Sequence, residues 1–230
     1  MRRFKWLLIA VPAAAALAFG GTWAYVELIK EEAPARLALN GAGDPAPSSN
    51  DGEISAEAGV EGTWTATTGS QAGYRVNEVL LGRNAEAAGR TEDVTGELVI
   101  EGTKVTAATV TVDMTTVESN EDRRDRQFQG RIMNVATYPT STFTVTSPID
   151  LGELPADGEQ ITVPATGALT LHGTKKTVTV DLTARRNGAD IEVNGFIPIV
   201  FAEWGIPNPS FGPVTTEDHG ELEFLVVFAR

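Results

Sequence analysis

From about residue 62 to the C-terminus, apolar and polar residues alternate with a period of two. Val94, Gly96, Leu98 and Ile100 fall on one side of an extended segment, with Thr95, Glu97 and Val99 on the other. Ala108, Val110, Val112 and Met114 oppose Thr109, Thr111 and Asp113. Phe143 and Val145 alternate with threonines. A long set follows at Ile161, Val163, Ala165, Gly167, Leu169 and Leu171, and another at Val178, Val180, Leu182 and Ala184. Ile191, Val193, Gly195 and Ile197 come next, and Leu222, Phe224, Val226 and Phe228 end the chain. Residues 64–67 and 73–80 begin the series. Successive strand side chains point to opposite faces, so each set predicts a strand with one apolar face.

Short Gly-containing turns separate these runs: Glu101-Gly102-Thr103-Lys104, His172-Gly173-Thr174-Lys175 and Arg186-Asn187-Gly188-Ala189. Such turns join antiparallel neighbours. No helical period alternates with the strands, which disfavours a parallel α/β sheet; one short helical segment is predicted within residues 120–134. The prediction is an all-β fold: an antiparallel, lipocalin-like barrel of about eight strands with a short helical insertion. Small residues at inward positions (Gly96, Ala165, Gly167, Gly195) suit strands that bend around a barrel.

The N-terminus departs from this pattern. Arg2, Arg3 and Lys5 precede 21 residues, Trp6 to Val26, without a charge. That length suits a helix crossing a bilayer, with the basic end cytoplasmic and the remainder exported. A signal peptide would be cut near Ala16-Leu17-Ala18 or Thr22-Trp23-Ala24. The length of the run, with Trp6, Trp23 and Tyr25 near its two ends, favours an uncleaved anchor. We therefore divide the chain into a signal anchor or signal peptide (1–29), a disordered linker (30–59) and a barrel domain (60–230). The linker is rich in Ala, Pro, Gly, Ser and acids, with a transient helix expected in residues 33–39. Localisation follows as a single-pass cell-membrane protein with an extracytoplasmic C-terminal domain, or a secreted one if the leader is cut.

The chain carries a net charge of -13, of which residues 60–230 contribute -11 (thirteen Lys and Arg against twenty-four Asp and Glu). An acidic domain does not attract nucleic acid or an anionic membrane surface. The chain has no cysteine, which excludes disulfides, thiolate metal sites and a Cys nucleophile.

The barrel sequence resembles the YceI-like family of lipocalin-like, polyisoprenoid-binding proteins, from about Trp64 to Phe228. The resemblance rests on Trp64 and Ser70, then Tyr74-Arg75-Val76. Arg124-Asp125 precede Phe128, Tyr138-Pro139 precede Phe143, and Gly167, Leu169, Thr170, Gly173 and Lys176 follow. Trp204-Gly205-Ile206 and a last strand after Asp218 complete it. The chain departs from the family at Asn77-Glu78, where many members carry Lys-His, and before Tyr138, where Phe-Asp is usual. The resemblance implies a barrel holding a long isoprenoid chain, such as a quinone tail or polyprenyl phosphate, without enzymatic activity or cofactor. It implies ligand contacts from Tyr74, Val76, Phe128, Met133, Phe143, Leu169, Leu171, Phe196, Phe201 and Trp204. The oligomeric state, a dimer included, stays open.

Candidate chemistry is sparse. His172 and His219 are the only histidines, and Glu217, Asp218 and His219 are expected to splay as solvated loop residues rather than hold a metal. Asp113 and Glu118 lack a companion His or nucleophile, and Ser70, Ser119, Ser141 and Ser147 lack a nucleophile-elbow context. The run from Asn120 to Arg126 reads as a solvated helix face, or as a lid over a pocket. Two further readings stand beside the carrier: an envelope protein-interaction module with a filled barrel, and an enzyme acting on a hydrophobic substrate.

Overall fold

The computed structural model describes residues 33–39, 59–80 and 82–230. The expected leader over 1–29 and most of the linker lie outside these residues. Among the described residues no helix is long and apolar enough to cross a membrane.

The strands are β1 (Gly62–Ala66), β2 (Gln71–Leu80), β3 (Arg83–Thr91), β4 (Val94–Glu101), β5 (Lys104–Asp113), β6 (Glu118–Ser119) and β7 (Thr140–Val145). They continue with β8 (Ile149–Asp150), β9 (Gln160–Leu171), β10 (Thr174–Asn187), β11 (Asp190–Val200), β12 (Val214–Thr216) and β13 (His219–Ala229). Eight close into an antiparallel ring in the order β1, β4, β5, β7, β9, β10, β11, β13, and β13 pairs back to β1. This is the all-β barrel that the alternation predicts. The helical insertion is α1 (Asp122–Gln127), which runs into a π-helical turn at Phe128–Ile132.

Strands β1 and β2 share one edge of β13. Strand β1 pairs with Phe228 and Ala229, and β2 pairs with Glu221 to Leu225. Buried Ser70 fills the break between them. Its hydroxyl donates to the Val227 carbonyl at 3.2 Å and accepts from the Val227 amide at 3.0 Å. The Val227 carbonyl also accepts from the Thr67 amide at 2.8 Å, whereas the Val227 amide finds its partner in the Ser70 side chain. Beyond that edge the β2–β3 hairpin rises above the ring, and β12 pairs with its upper end.

The apolar faces all turn inward. Trp64, Leu98, Ile100, Val105, Val226 and Phe228 pack the half of the barrel nearest β1 around a small gap of about 120 Å³. In the other half the inward side chains line a hollow.

One outer face is also buried. Residues 33–39 have no regular secondary structure and cross the wall of β3, β2, β13 and β11, so the helix expected there does not form. Arg75 of β2 donates to the Pro34 carbonyl at 2.7 Å, and Arg90 of β3 donates to the Ala35 carbonyl. The Leu37 amide donates to Glu223 at 3.3 Å, and Asn194 donates to the Leu37 carbonyl at 3.0 Å. Arg36 lies over the Phe196 ring, 5.4 Å from its centroid, and pairs with Glu221. Leu37 is buried by this docking.

Candidate functional site

The hollow half of the barrel is a cavity of about 520 Å³. Its walls are side chains at every second strand position, such as Val110 and Val112 of β5, Ile197 and Ile199 of β11, and Leu222 and Phe224 of β13. Alternation marks all six as inward residues, but it does not say which part of the barrel is empty. Tyr74, Val76, Phe143, Leu169 and Leu171, predicted as ligand contacts, line this space from the strands. Phe128, Met133 and Phe201 line it from the connections.

The helical insertion lies over the mouth. Phe128 stacks on Tyr74 with centroids 4.9 Å apart and planes 12° from parallel. Asp125 fixes the approach to the helix by accepting from the Ser119 amide at 2.9 Å and the Ser119 hydroxyl at 2.6 Å. Arg124 turns toward the cavity and faces Glu78 at 3.6 Å. The charged run is therefore a lid on one side and a solvated face on the other. Burial pushes the Tyr74 hydroxyl well above its ordinary range; Arg124 works against this, while Asp125 and Glu78 add to it. The hydroxyl stays protonated at any physiological pH.

Phe196 and Trp204 lie elsewhere. Strand β11 turns Ile197 and Ile199 inward, so Phe196 faces out, under Arg36. Buried Trp204 belongs to a corner where three sequence motifs meet. Its carbonyl faces His172 Nδ1 and accepts from the Thr174 hydroxyl, both at 3.3 Å. Lys176 sits over its ring at 5.3 Å and pairs with Glu203 at 3.0 Å. Tyr138 packs edge-on against His172 at 4.8 Å and over Gly173, where a Cβ would stand 2.5 Å from the ring. His172 and Gly173 both take positive φ, 49° and 72°, as the two central residues of a type I′ hairpin do. The Tyr-Pro, His-Gly and Trp-Gly segments thus hold the connections in place and leave the lumen to residues between them.

His219 does not splay from its neighbours. Its Nδ1 lies 2.8 Å from Asp218, and its Nε2 lies 3.4 Å from Glu217. The hydrogen bond to Asp218 raises the imidazole pKa above its ordinary value and holds the Asp218 carboxyl low. The stabilisation from a raised histidine is complete below its unfolded pKa, near 6.5, and is lost as pH rises through the folded value. In an NMR titration the His219 midpoint is expected above 6.5, falling toward it in Asp218→Asn and in high salt. A midpoint indifferent to both would remove the carboxylates as its cause. Among the described residues no group of three His, Asp or Glu side chains is arranged to hold a metal ion.

A closed antiparallel barrel, a hollow upper half and a helical lid are now joined by a family match: residues 64–228 match the YceI-like domain. The chain belongs to the YceI-like family. Protein YceI of Escherichia coli O6:H1 (strain CFT073) is 35% identical over 82 residues, 35% of this chain and 39% of that protein. The match thus spans well under two thirds of the E. coli protein. A UPF0312 protein of Shewanella sp. (strain W3-18-1) is 29% identical over 151 residues, 62% of this chain and 74% of its own. Among solved structures, a polyisoprenoid binding domain from Saccharophagus degradans superposes with a TM-score of 0.59 at 20% identity, covering 73% of this chain and 97% of that domain. Burkholderia cenocepacia BcnA gives 0.52 at 24% identity, over 69% and 95%. At these identities the likeness is one of fold. Within this YceI-like chain, Glu78 stands at the mouth and faces Arg124.

Proposed function

We propose that this YceI-like barrel is a non-enzymatic, extracytoplasmic lipid-binding protein that carries or sequesters an isoprenoid chain, a quinone tail or polyprenyl lipid. The hollow upper half carries this reading. An apolar lumen roofed by Phe128 and Met133 accepts a ligand without polar groups along its length. Each methylene moved from water into it contributes about 0.8 kcal/mol, so three or four isoprene units exceed roughly 10 kcal/mol before association costs. The polar groups gather at the mouth, where Arg124, Glu78 and the Tyr74 hydroxyl can meet a head group. The open lumen favours the carrier over an interaction module with a filled barrel. The uncharged run from Trp6 to Val26 supports a membrane anchor that keeps the barrel beside the bilayer from which it loads.

The test is mass spectrometry of organic extracts of the full chain purified from its host. A stoichiometric isoprenoid quinone or polyprenyl lipid is expected. Added ligand at a hundred times its Kd should raise folding stability by about 2.7 kcal/mol. A chain that arrives empty and takes up neither menaquinone nor polyprenyl phosphate returns the protein to the interaction-module reading.

A further inference from the structure

The lumen does not end at the middle of the barrel. A deeper apolar chamber of about 120 Å³ lies among residues such as Leu98, Val105, Val163 and Phe228. Val110, Phe143 and Phe224 border both chambers and so stand between them. In the ring of eight strands, β7 and β13 stand opposite each other, and they supply Phe143 and Phe224.

Both rings are folded back onto a glycine of the neighbouring strand. A Cβ built on Gly167 of β9 would stand 2.3 Å from Phe143 Cζ and 2.8 Å from the Thr144 carbonyl oxygen. One built on Gly195 of β11 would stand 2.6 Å from Phe224 Cζ. Both glycines face inward, where any side chain would push its ring into the lumen. Glycine there permits a close approach that no other residue allows. Curvature alone would not require an aromatic ring over the glycine on each of two opposite walls.

We propose that Gly167 and Gly195 hold the Phe143–Phe224 neck open for a linear apolar chain to thread into the lower chamber. The neck thereby selects for chain length. The inference rests on the carrier reading and names its specificity residues. The wall of β13 from Gly220 to Phe228 that lines the two chambers measures about 27 Å along the strand, or about 20 Å along the barrel axis at the usual tilt. A short prenyl chain is accommodated above the neck, whereas a long one gains affinity below it. Each methylene kept out of the lower chamber costs about fourfold in affinity.

The experiment compares binding of farnesol and solanesol by the full chain and by Gly167→Ala and Gly195→Ala. Each variant is expected to lose solanesol affinity by about tenfold or more and to hold farnesol within about twofold. Because alanine can also strain the strands, Phe143→Leu is added on the Gly167→Ala background; the shorter side chain should reopen the neck and restore solanesol binding. Equal losses for both prenols, no loss for either, or failure of the rescue would overturn the neck as a length selector and leave the carrier reading intact. A wild-type chain that binds neither prenol would overturn the carrier reading itself.

Discussion

Glu223→Ala is expected to destabilise the fold by about 3–5 kcal/mol, because it strands a buried cation. The Glu223 side chain has 0% exposure and Arg75 has 3%, yet both belong to the outward face of their strands. Arg75 Nε and Nη2 each donate to Glu223 at 3.3 Å, and Arg90 Nε donates at 2.9 Å. With the carboxylate gone, Arg75 keeps Glu86 and the Pro34 carbonyl, which places the loss toward the lower end of the range. The same change removes the acceptor for the Leu37 amide and so loosens residues 33–39 from the wall. Urea denaturation measures it. Replacing both partners, Arg75→Met with Glu223→Leu, should cost far less than the two single losses combined, since neither fully buried charge then remains and the groups that lose a partner, Arg90 and Glu86, are partly exposed to water. A Glu223→Ala variant within about 1 kcal/mol of wild type would mean that water reaches the pair and that the outer wall is not sealed.

The same pair shows where sequence reading stops. Period-two alternation correctly sends Leu222, Phe224 and Val226 inward, and by the same rule it sends Glu223 outward. It cannot reveal that a segment 186 residues earlier in the chain will cover that outward face. Residues 33–39 read as linker because the surrounding segment, 30–59, is rich in Ala, Pro, Gly, Ser and acids. Their docking combines the Pro34, Ala35 and Leu37 backbone groups with the Arg36 and Leu37 side chains, and no local period in the sequence records it. The barrel's strands and hairpins were legible because each is a local matter of period and Gly placement. Closure of β13 onto β1 is non-local, and only the number of strands hints at it. For the lumen, five strand positions predicted as ligand contacts border it because alternation gives their face, whereas Phe196 sits on a strand whose inward set is Ile197 and Ile199. Trp204, predicted as a ligand contact, packs instead with His172, Thr174 and Lys176 of a hairpin that braces a connection. Nothing in composition separates a Trp that lines a cavity from one that supports its rim. The neck glycines were visible as small inward residues; that rings lie over them required coordinates.

Val112→Asp is expected to lower isoprenoid affinity by about a hundredfold or more at neutral pH while the barrel still folds. Val112 is inward on β5 and borders the lumen, so in the empty protein an aspartate of similar size can be hydrated by water drawn in from the mouth. A prenyl chain expels that water and leaves the carboxyl without partners, a cost of roughly 1–3 kcal/mol for a polar group in protein interiors. Each 1.4 kcal/mol is about a factor of ten in Kd. The cost is larger for the ionised form, so ligand binding raises the carboxyl pKa and is itself favoured by acid. Affinity of the variant should therefore recover as pH falls from about 8 to about 4, whereas Val112→Asn should show a loss with no such recovery. Fluorescence or mass-spectrometric titration with a prenol across that range measures both. Retention of wild-type affinity by Val112→Asp at neutral pH would show that the chain does not occupy this cavity, because no bound tail could pass β5 here without desolvating the carboxylate.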